Sequence, residues 1–255
     1  GVTEVRRGTR RRRPAAPFTT STLQQEASRR LSMTTRHTMA VAQQLYQGID
    51  IDGEPVGLIT YMRTDSVTVA EAAQNQAREY ISKRYGQKFV PEEPPQYKTK
   101  TKAAQEAHEA IRPTSVSRTP QSVRRHLDRA QSRLYKLIWQ RFVASQMAAA
   151  IYDTLSVDIV ATPAKAAPAP EAPPYLFRAA GSRIRFPGFL VVYEEAKSGS
   201  AEEDRILPPL DEGELLDLMQ LLPHQHFTQP PARYSEATLV RALEDSGTRR
   251  LFVGG

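Results

Sequence analysis

The spacing of apolar residues changes once along the chain, near Ala150, and this change limits the folds that the chain can adopt. From residue 19 to about residue 150 the spacing is mainly helical, and it begins with the N-cap-rich residues 19–22. After Ala150, residues 152–160 alternate between apolar and polar side chains, as in a strand. Three shorter strands are predicted beyond them, at residues 175–180, 183–186 and 190–193. The sequence therefore predicts an α+β protein in which a helical domain precedes β structure.

Local signals place three helices in the first half of the chain. The first follows the cap-rich start at residue 19, and the second covers residues 35–46. A third helix is predicted to begin near Ser66 or Thr68 and to end close to Gly86, which is suited to a helix C-terminus.

Other segments of the chain break this helical pattern. Residues 56–61 are apolar and β-branched, and they predict a buried strand rather than a helix. Helical spacing returns from Pro120 and continues to Phe142. Proline and alanine dominate residues 162–174, which predict a flexible hairpin loop or linker.

The length and composition bound the class of protein. A chain of 255 residues can form one large domain or two modest domains with real cores. It contains no cysteine, which excludes disulfides and thiolate metal sites and fits a reducing cytoplasm. No run approaches the roughly 18 apolar residues of a membrane span, so no membrane partner is expected.

Positive charge dominates the ionisable residues. The net charge of +7 favours a polyanionic partner, because lysine and arginine release counterions when they bind phosphates. Many basic proteins nevertheless bind no nucleic acid. The charge is densest at Arg6, Arg7 and residues 10–13. This run predicts either an arm that follows DNA or a solvated, poorly ordered end.

The most informative segment surrounds Tyr61, at the end of the predicted buried strand. A phenol ordinarily has a pKa of about 10, so it attacks a phosphate only with help. In an extended backbone Arg63 projects to the same side as Tyr61, where a guanidinium can stabilise a phenolate and a charged phosphoryl transition state. Without the family resemblance, catalysis is the less frequent explanation. A tyrosine at a strand end more often packs against its neighbours, and a nearby arginine more often forms a surface ion pair.

A second segment, residues 105–114, places polar side chains at helical spacing. His108 and Arg112 are four residues apart, so a helical turn puts both on one face, directed at a phosphate. Glu109 between them can orient a base or bind a metal ion. The plainer interpretation is a short helix that Pro113 interrupts, with its polar face in water.

Residues 58–66 (LITYMRTDS) and 107–113 (AHEAIRP) together resemble the two hallmark motifs of bacterial type IA DNA topoisomerases. The similarity extends, in the family's order, to PFTTSTLQQ at residues 17–25, YKLIW at 135–139 and PPARYSEA at 230–237. Several ordered motifs are more specific than one short pattern, so catalysis becomes the preferred interpretation of Tyr61. The resemblance implies a helical, tyrosine-bearing domain inserted in a mostly β arch domain and followed by part of a further helical domain.

The resemblance also divides the chain into four parts. Residues 1–18 are a basic N-terminal arm with the end of an arch strand, and residues 19–150 are the helical domain with the catalytic tyrosine. Residues 151–200 are a β arch segment, and residues 201–255 hold a partial arch with a helix of the DNA cleft. Residues 247–255 depart from the family's pattern, as a truncated or frame-shifted gene would produce.

Each site residue takes a role from the resemblance. Tyr61 is implied to attack a phosphate of single-stranded DNA, forming a 5′-phosphotyrosyl link and releasing a 3′-hydroxyl. Arg63 is implied to hold and neutralise this phosphate, and His108 to contact a neighbouring phosphate. Arg112 and Arg233 are candidates for contact with the DNA backbone. Because the link conserves the energy of the phosphodiester, rejoining needs no ATP, and the sequence shows no glycine-rich nucleotide-binding loop.

Magnesium is implied for the complete enzyme. Complete members of the family bind Mg²⁺ through a catalytic Glu and an Asp-x-Asp-x-Asp cluster in an N-terminal domain, which this chain is expected to lack. Its Asp-x-Asp pair, Asp50 and Asp52, is interpreted as a solvated turn rather than a metal site. No metal ligands are assigned, and the chain alone is expected not to relax supercoiled DNA efficiently.

Alternative interpretations stay open. The chain can be a non-catalytic module that binds single-stranded DNA through its basic face, or a truncated product that folds poorly. Tyrosine recombinases also attack DNA phosphates, but their Arg-His-Arg-Tyr arrangement with a C-terminal tyrosine is not found. In the preferred interpretation the chain is a monomer that acts on single-stranded or negatively supercoiled DNA, in the bacterial cytoplasm and at the nucleoid.

Overall fold

The fold combines strands and α-helices, as the sequence predicted. The computed structural model describes residues 1–97, 108–161, 175–193 and 206–246. The strands in these ranges are β1 (Val2–Arg12), β2 (Ile49–Ile51), β3 (Glu54–Val56), β4 (Ala150–Ala161) and β5 (Tyr175–Phe186). The α-helices are α1 (Thr20–Leu31), α2 (Thr35–Gln47), α3 (Glu71–Tyr85), α4 (Arg129–Ser145) and α5 (Glu236–Asp245). The chain divides into two compact units, one containing the main sheet and one containing these helices.

The first unit, within residues 1–12, 150–187 and 197–231, is built on a three-stranded antiparallel sheet. Its strand order is β1-β4-β5, so the strand before the helical region pairs with the strand after it. Arg12 lies opposite Ala150 at the end of this ladder. The helical region is therefore inserted between two paired strands, which confirms the fold that the resemblance implied.

The arginine-rich N-terminal residues form strand β1, so the interpretation as a poorly ordered end is wrong. The carboxylate of Asp158 on β4 is buried and accepts hydrogen bonds from Arg178 at 2.6 Å and from Arg6 at 2.7 Å. Arg10 lies over the ring of Tyr152, with 4.7 Å between the guanidinium carbon and the ring centre. An acidic and an aromatic side chain on the neighbouring strand thus stabilise the positive charge of β1.

Strand β5 is continuous where the sequence predicted two short strands. The residues between the two predictions, Gly181 and Ser182, stay in register opposite Leu155 and Thr154 of β4. Small side chains do not interrupt the ladder, because the pairing is made by backbone hydrogen bonds. The strand predicted at residues 152–160 is confirmed as β4.

Side-chain caps fix where most of the helices begin. A side-chain oxygen accepts a hydrogen bond from a first-turn N–H at the start of α1, α2, α4 and α5; these caps are Thr19, Thr34, Asp128 and Ser235. The predicted starts near residues 19 and 35 are confirmed. Helix α4 begins at Arg129 rather than near Pro120, because its cap is Asp128 and turns with a short 3₁₀ helix (Arg124–His126) occupy the preceding residues.

Helix α3 begins at Glu71, later than the sequence predicted. Its N-cap residue, Ala70, has no capping side chain, and the Ala70 N–H donates to the carboxylate of Glu109 at 2.7 Å. A distant carboxylate therefore sets this helix start, which no local signal could indicate. The helix ends at Tyr85, and the following Gly86 is its C-cap, as predicted, with φ at 100°.

The core of the second unit, within residues 13–149, 188–196 and 232–255, is apolar. Its nearly completely buried large side chains include Phe18, Leu23, Leu45, Leu58, Ile81, Ile111, Leu134, Tyr135 and Phe142. Burial of each such side chain contributes roughly 1.5–3 kcal/mol. The Tyr135 hydroxyl donates to the Arg118 carbonyl oxygen at 2.6 Å, so its polar atom is satisfied inside the core.

Two predicted strands of the second unit are not strands. Strand β3 ends at Val56, and in residues 57–61 a single bridge joins Ile59 to Pro113. Residues 190–193 belong to a short 3₁₀ helix (Gly188–Val191) and the turn after it.

Some predictions concern residues that the structure does not describe. These are the linker at residues 162–174 and the divergent tail at residues 247–255. Among the helices of the described ranges, none is both long enough and apolar enough to cross a membrane.

Candidate active site

Tyr61 follows a short segment that is hydrogen-bonded on both sides. The Leu58 N–H donates to the Leu45 carbonyl oxygen near the end of α2 at 2.8 Å. The Thr60 N–H donates to the Arg112 carbonyl oxygen, in a second extended segment, at 2.9 Å. These bonds fix the backbone immediately before Tyr61.

Exposed and buried side chains alternate from Tyr61 onward. Tyr61, Arg63 and Asp65 are exposed, whereas Met62 and Thr64 between them are buried. Tyr61 and Arg63 therefore both reach solvent, while bends at residues 60, 62 and 63 interrupt a regular extended backbone.

A threonine in the first turn of α1 holds the segment of residues 62–64. The Thr20 hydroxyl donates to the Met62 carbonyl oxygen at 2.8 Å and accepts from the Thr64 N–H at 2.8 Å. The Thr20 N–H donates to the Thr64 carbonyl oxygen at 2.8 Å. The start of α1 therefore anchors the backbone after Tyr61, a role that its capping pattern did not reveal.

The Tyr61 ring lines a cavity of about 280 Å³. The lining residues come from three parts of the second unit: Tyr46, Thr60, Tyr61, Thr64, His108 and Glu109. Tyr61 is 46% exposed, so the ring is accessible from solvent. The cavity brings together Tyr61 and His108, two of the residues predicted from the sequence.

Residues 108–114 are extended, so the predicted helical turn is wrong. Ile111 forms a bridge with Phe18, and Pro113 forms a bridge with Ile59. Backbone groups that pair with neighbours on either side are not available for helical hydrogen bonds, and proline has no N–H to donate.

His108 and Arg112 differ in their surroundings. His108 is exposed and lines the cavity, whereas Arg112 is not among the lining residues. The Arg112 guanidinium donates to the Glu109 carboxylate at 2.6 and 3.1 Å and to the Pro113 carbonyl oxygen at 3.1 Å. Only 13% of its side chain is exposed. Residues 105–107, which belonged to the same prediction, lie outside the described residues.

Glu109 connects this segment to helix α3. Its Oε2 accepts from Arg112, and its Oε1 accepts from the Ala70 N–H at the helix N-terminus. With both oxygens engaged, the carboxylate fixes residues 108–114 against α3. A metal ion would have to displace these partners.

Asp50 and Asp52 lie in the hairpin formed by β2 and β3. Asp50 accepts from the Gly53 N–H at 2.8 Å, and Asp52 accepts from Arg125 at 2.9 and 3.0 Å. In the part of the chain that the structure describes, no group of three or more His, Asp or Glu side chains is arranged to hold a metal ion. The described residues therefore do not fit a Mg²⁺ site.

Two predicted arginines lie outside the lining of the cavity. Arg63 is exposed two residues beyond Tyr61, and Arg233 lies in an exposed segment shortly before α5. The Glu236 carboxylate on α5 accepts from the Thr35 N–H at 2.8 Å, which joins the start of α5 to the start of α2.

Sequence reasoning missed the arrangement of two residues beside Tyr61. The Tyr46 ring makes an edge-to-face contact with the Tyr61 ring, with centroids 5.3 Å apart and planes at 64°. The Thr60 hydroxyl donates to the Ala110 carbonyl oxygen at 2.7 Å and accepts from the Arg112 N–H at 3.0 Å. The position of Thr60 next to Tyr61 in the sequence could have indicated that it belongs to the site. No spacing pattern in the sequence indicates this for Tyr46.

A family model described as DNA topoisomerase matches residues 1–249, so the chain belongs to this family of isomerases. DNA topoisomerase 1 of Xylella fastidiosa is 50% identical over 254 residues, which cover 98% of this chain and 30% of that protein. DNA topoisomerase 1 of Rickettsia felis is 46% identical over 250 residues, covering 98% and 31%. The structure of full-length topoisomerase I from Thermotoga maritima matches with a TM-score of 0.74 at 31% identity, covering 96% of this chain and 37% of that one. The chain thus spans about a third of the length of these relatives.

Proposed function

We propose that this chain carries the nucleophile of a type IA DNA topoisomerase, at Tyr61. The Tyr61 oxygen attacks a backbone phosphorus of single-stranded DNA, the bond from phosphorus to the 3′ oxygen breaks, and a 5′-phosphotyrosyl link forms. The phenol gives up its proton, and the departing 3′ oxygen takes one up. Rejoining reverses these steps without ATP. The observation that carries the proposal is the exposed Tyr61 ring at a cavity shared with His108.

The cationic residues are proposed to hold the DNA. Arg63 neutralises the attacked phosphate, and its exposed position just beyond Tyr61 supports this role. His108 contacts a neighbouring phosphate from the wall of the cavity. Arg112, beside Glu109, and Arg233, shortly before α5, are proposed as further contacts to the DNA backbone.

The remaining requirements belong to the complete protein. Mg²⁺ is expected to assist cleavage and rejoining there, and no step is assigned to it on this chain because the described residues do not form a ligand set. The proposed substrate is single-stranded or negatively supercoiled DNA, and the proposed state is a monomer in the bacterial cytoplasm, at the nucleoid. Because the chain spans about 30% of the length of its curated relatives, relaxation of supercoils is proposed for the complete protein and not for this chain alone.

A DNA strand with a sulfur leaving group tests the nucleophile directly. The substrate is a single-stranded oligonucleotide in which sulfur replaces the bridging 3′ oxygen of one linkage, so that attack by Tyr61 releases a 3′ thiol. A thiolate leaves readily without an acid or a metal ion, and it rejoins poorly, so the adduct accumulates. Because the protein has no cysteine, Ellman's reagent reports only the thiol released from DNA.

The expected result is that thiol is released in the same amount as a covalent protein–DNA adduct forms. Peptide mapping is expected to locate the attached phosphate on Tyr61. The control is Tyr61→Phe, which keeps the ring and removes the attacking oxygen. Salt-sensitive binding of DNA by the wild-type chain without any adduct would instead identify a non-catalytic binding module. With negatively supercoiled plasmid and Mg²⁺, no efficient relaxation by this chain is expected. Full relaxation that Tyr61→Phe abolishes would contradict that expectation.

A further inference from the structure

Tyr46 and Tyr61 form an aromatic pair on the surface of the second unit. Their ring centroids are 5.3 Å apart at an interplanar angle of 64°, within the preferred edge-to-face geometry. Tyr46 is 40% exposed and Tyr61 46% exposed, and both rings line the same cavity. Neither ring is therefore held in place by burial in the core.

The backbone fixes Tyr46 beside the segment that leads to Tyr61. Tyr46 lies in the last turn of α2, and the carbonyl of the preceding residue, Leu45, accepts the Leu58 N–H at 2.8 Å. A Cβ added to Gly57 would lie 2.9 Å from the Tyr46 carbonyl oxygen, so the two backbones approach as closely as glycine allows. The close approach of the backbone at Tyr46 to the backbone at Gly57 thus places the two rings in contact.

We propose that Tyr46 is a positioning residue that holds the Tyr61 ring in one orientation at the cavity. The inference rests on the proposed role of Tyr61 as the nucleophile. Attack on phosphorus requires the phenolic oxygen to lie opposite the departing oxygen, so a half-exposed ring that samples several rotamers is in line only part of the time. An edge-to-face contact favours one orientation by roughly threefold to tenfold.

The contact requires the ring of Tyr46 and not its hydroxyl. Tyr46→Phe therefore keeps the restraint, whereas Tyr46→Leu and Tyr46→Met remove the ring while remaining good helix formers in α2. A different role, stacking of a DNA base on the exposed part of the Tyr46 ring, would contribute to affinity for the strand. The two roles differ in which step of the reaction they affect.

The test measures adduct formation with the sulfur-bridged oligonucleotide, separately from binding of its unmodified counterpart. In Tyr46→Leu the rate constant at saturating DNA is expected to fall roughly threefold to tenfold, with the dissociation constant unchanged and with recovery in Tyr46→Phe. Weaker binding with an unchanged rate constant would assign Tyr46 to base stacking and overturn the proposal. An unchanged rate in Tyr46→Leu, or an equal loss in Tyr46→Phe, would overturn it as well.

A second readout does not depend on catalysis. With 3-fluorotyrosine at position 61, the ¹⁹F shift of the folded protein reports the ring current of Tyr46, and the line width reports exchange between orientations. Tyr46→Leu is expected to move the shift toward its value in unfolded protein, and Tyr46→Phe is expected to leave it in place. If the wild-type chain forms no adduct, the proposed nucleophile is wrong, and the ¹⁹F spectra still decide whether Tyr46 restrains Tyr61. Spectra unaltered by both Tyr46→Leu and Tyr46→Met would refute the restraint.

Discussion

The Thr60 hydroxyl donates a hydrogen bond to the Ala110 carbonyl oxygen over 2.7 Å and so joins the two motifs of the candidate active site. One motif carries Tyr61 and the other carries His108, and both residues line the same cavity. The same hydroxyl accepts from the Arg112 N–H at 3.0 Å. A single side-chain oxygen therefore satisfies a donor and an acceptor of the neighbouring segment.

Removal of this oxygen should weaken the fold and the site together. Thr60→Val keeps the shape of the side chain but leaves the Ala110 carbonyl and the Arg112 N–H without this partner, at an expected cost of about 1–3 kcal/mol in the free energy of unfolding. Urea denaturation measures this cost. Thr60→Ser, which retains the hydroxyl, is the control and should stay close to wild type; equal stability of the Val and Ser variants would contradict this role.

The ion pair of Glu109 and Arg112 should matter more than an exposed pair. Glu109→Gln removes the anion that faces a guanidinium of which only 13% is exposed, and it is expected to lower the free energy of unfolding by about 1–3 kcal/mol. The matched control is Glu79→Gln, in the exposed i,i+4 pair with Lys83 on α3, which should change the urea midpoint little. If Glu79→Gln lowers the free energy of unfolding more than Glu109→Gln does, burial does not explain the importance of the Glu109 pair.

A methyl group at Gly57 should disturb the junction between α2 and the Tyr61 segment. The added Cβ would lie 2.9 Å from the Tyr46 carbonyl oxygen, which belongs to backbone and cannot rotate away, so Gly57→Ala is expected to cost about 1–3 kcal/mol. Gly8→Ala is the comparison, because its Cβ would meet the Thr154 hydroxyl, a side chain that can turn aside. Thermal unfolding of both variants checks the prediction, which fails if Gly57→Ala is the better tolerated.

The sheet of the first unit should show a pH dependence that traces to Asp158. Hydrogen bonds from Arg178, with the charge of Arg178 and Arg6, hold the pKa of Asp158 below its ordinary value. The folded state therefore favours the carboxylate, and this stability is present above about pH 3.9 and is lost as the pH falls through the lowered pKa. Asp158→Asn should be less stable than wild type near neutral pH, and the difference should shrink in acid. The exposed Asp217, changed to Asn, supplies the control; a difference for Asp158→Asn that stays constant into acid would contradict the assignment.

Local signals predicted the helices and one strand, because a cap or an alternating pattern is written in adjacent residues. The cap at Thr19, the end at Gly86 and the strand β4 were found in this way. Local signals did not reveal strand β1, since its arginines suggest a solvated arm, and only the family resemblance implied the end of a strand there. The partners that stabilise it, such as Asp158, lie far away in the sequence.

The candidate site was only partly predictable for the same reason. Motif similarity indicated Tyr61 and His108. The spacing of His108 and Arg112 predicted a helical turn, which is wrong because backbone partners distant in sequence hold this segment extended. Tyr46 had no signal at all, since the hairpin between it and Tyr61 separates them in sequence while their rings touch. Contacts made by the fold, and not the identity of the residues, determine these arrangements.

The hydrogen bonds of Thr60 also bear on when the site exists. They join residues separated by 50 and 52 positions, and pairings of such separation form only after a large loop has closed. Until these pairings form, the Thr60 hydroxyl does not hold the segment of Tyr61 against the segment of His108. On the proposed function, contacts of long sequence range, and not the residues alone, bring the nucleophile and a phosphate-binding side chain to one cavity, so local opening of this segment is expected to separate them.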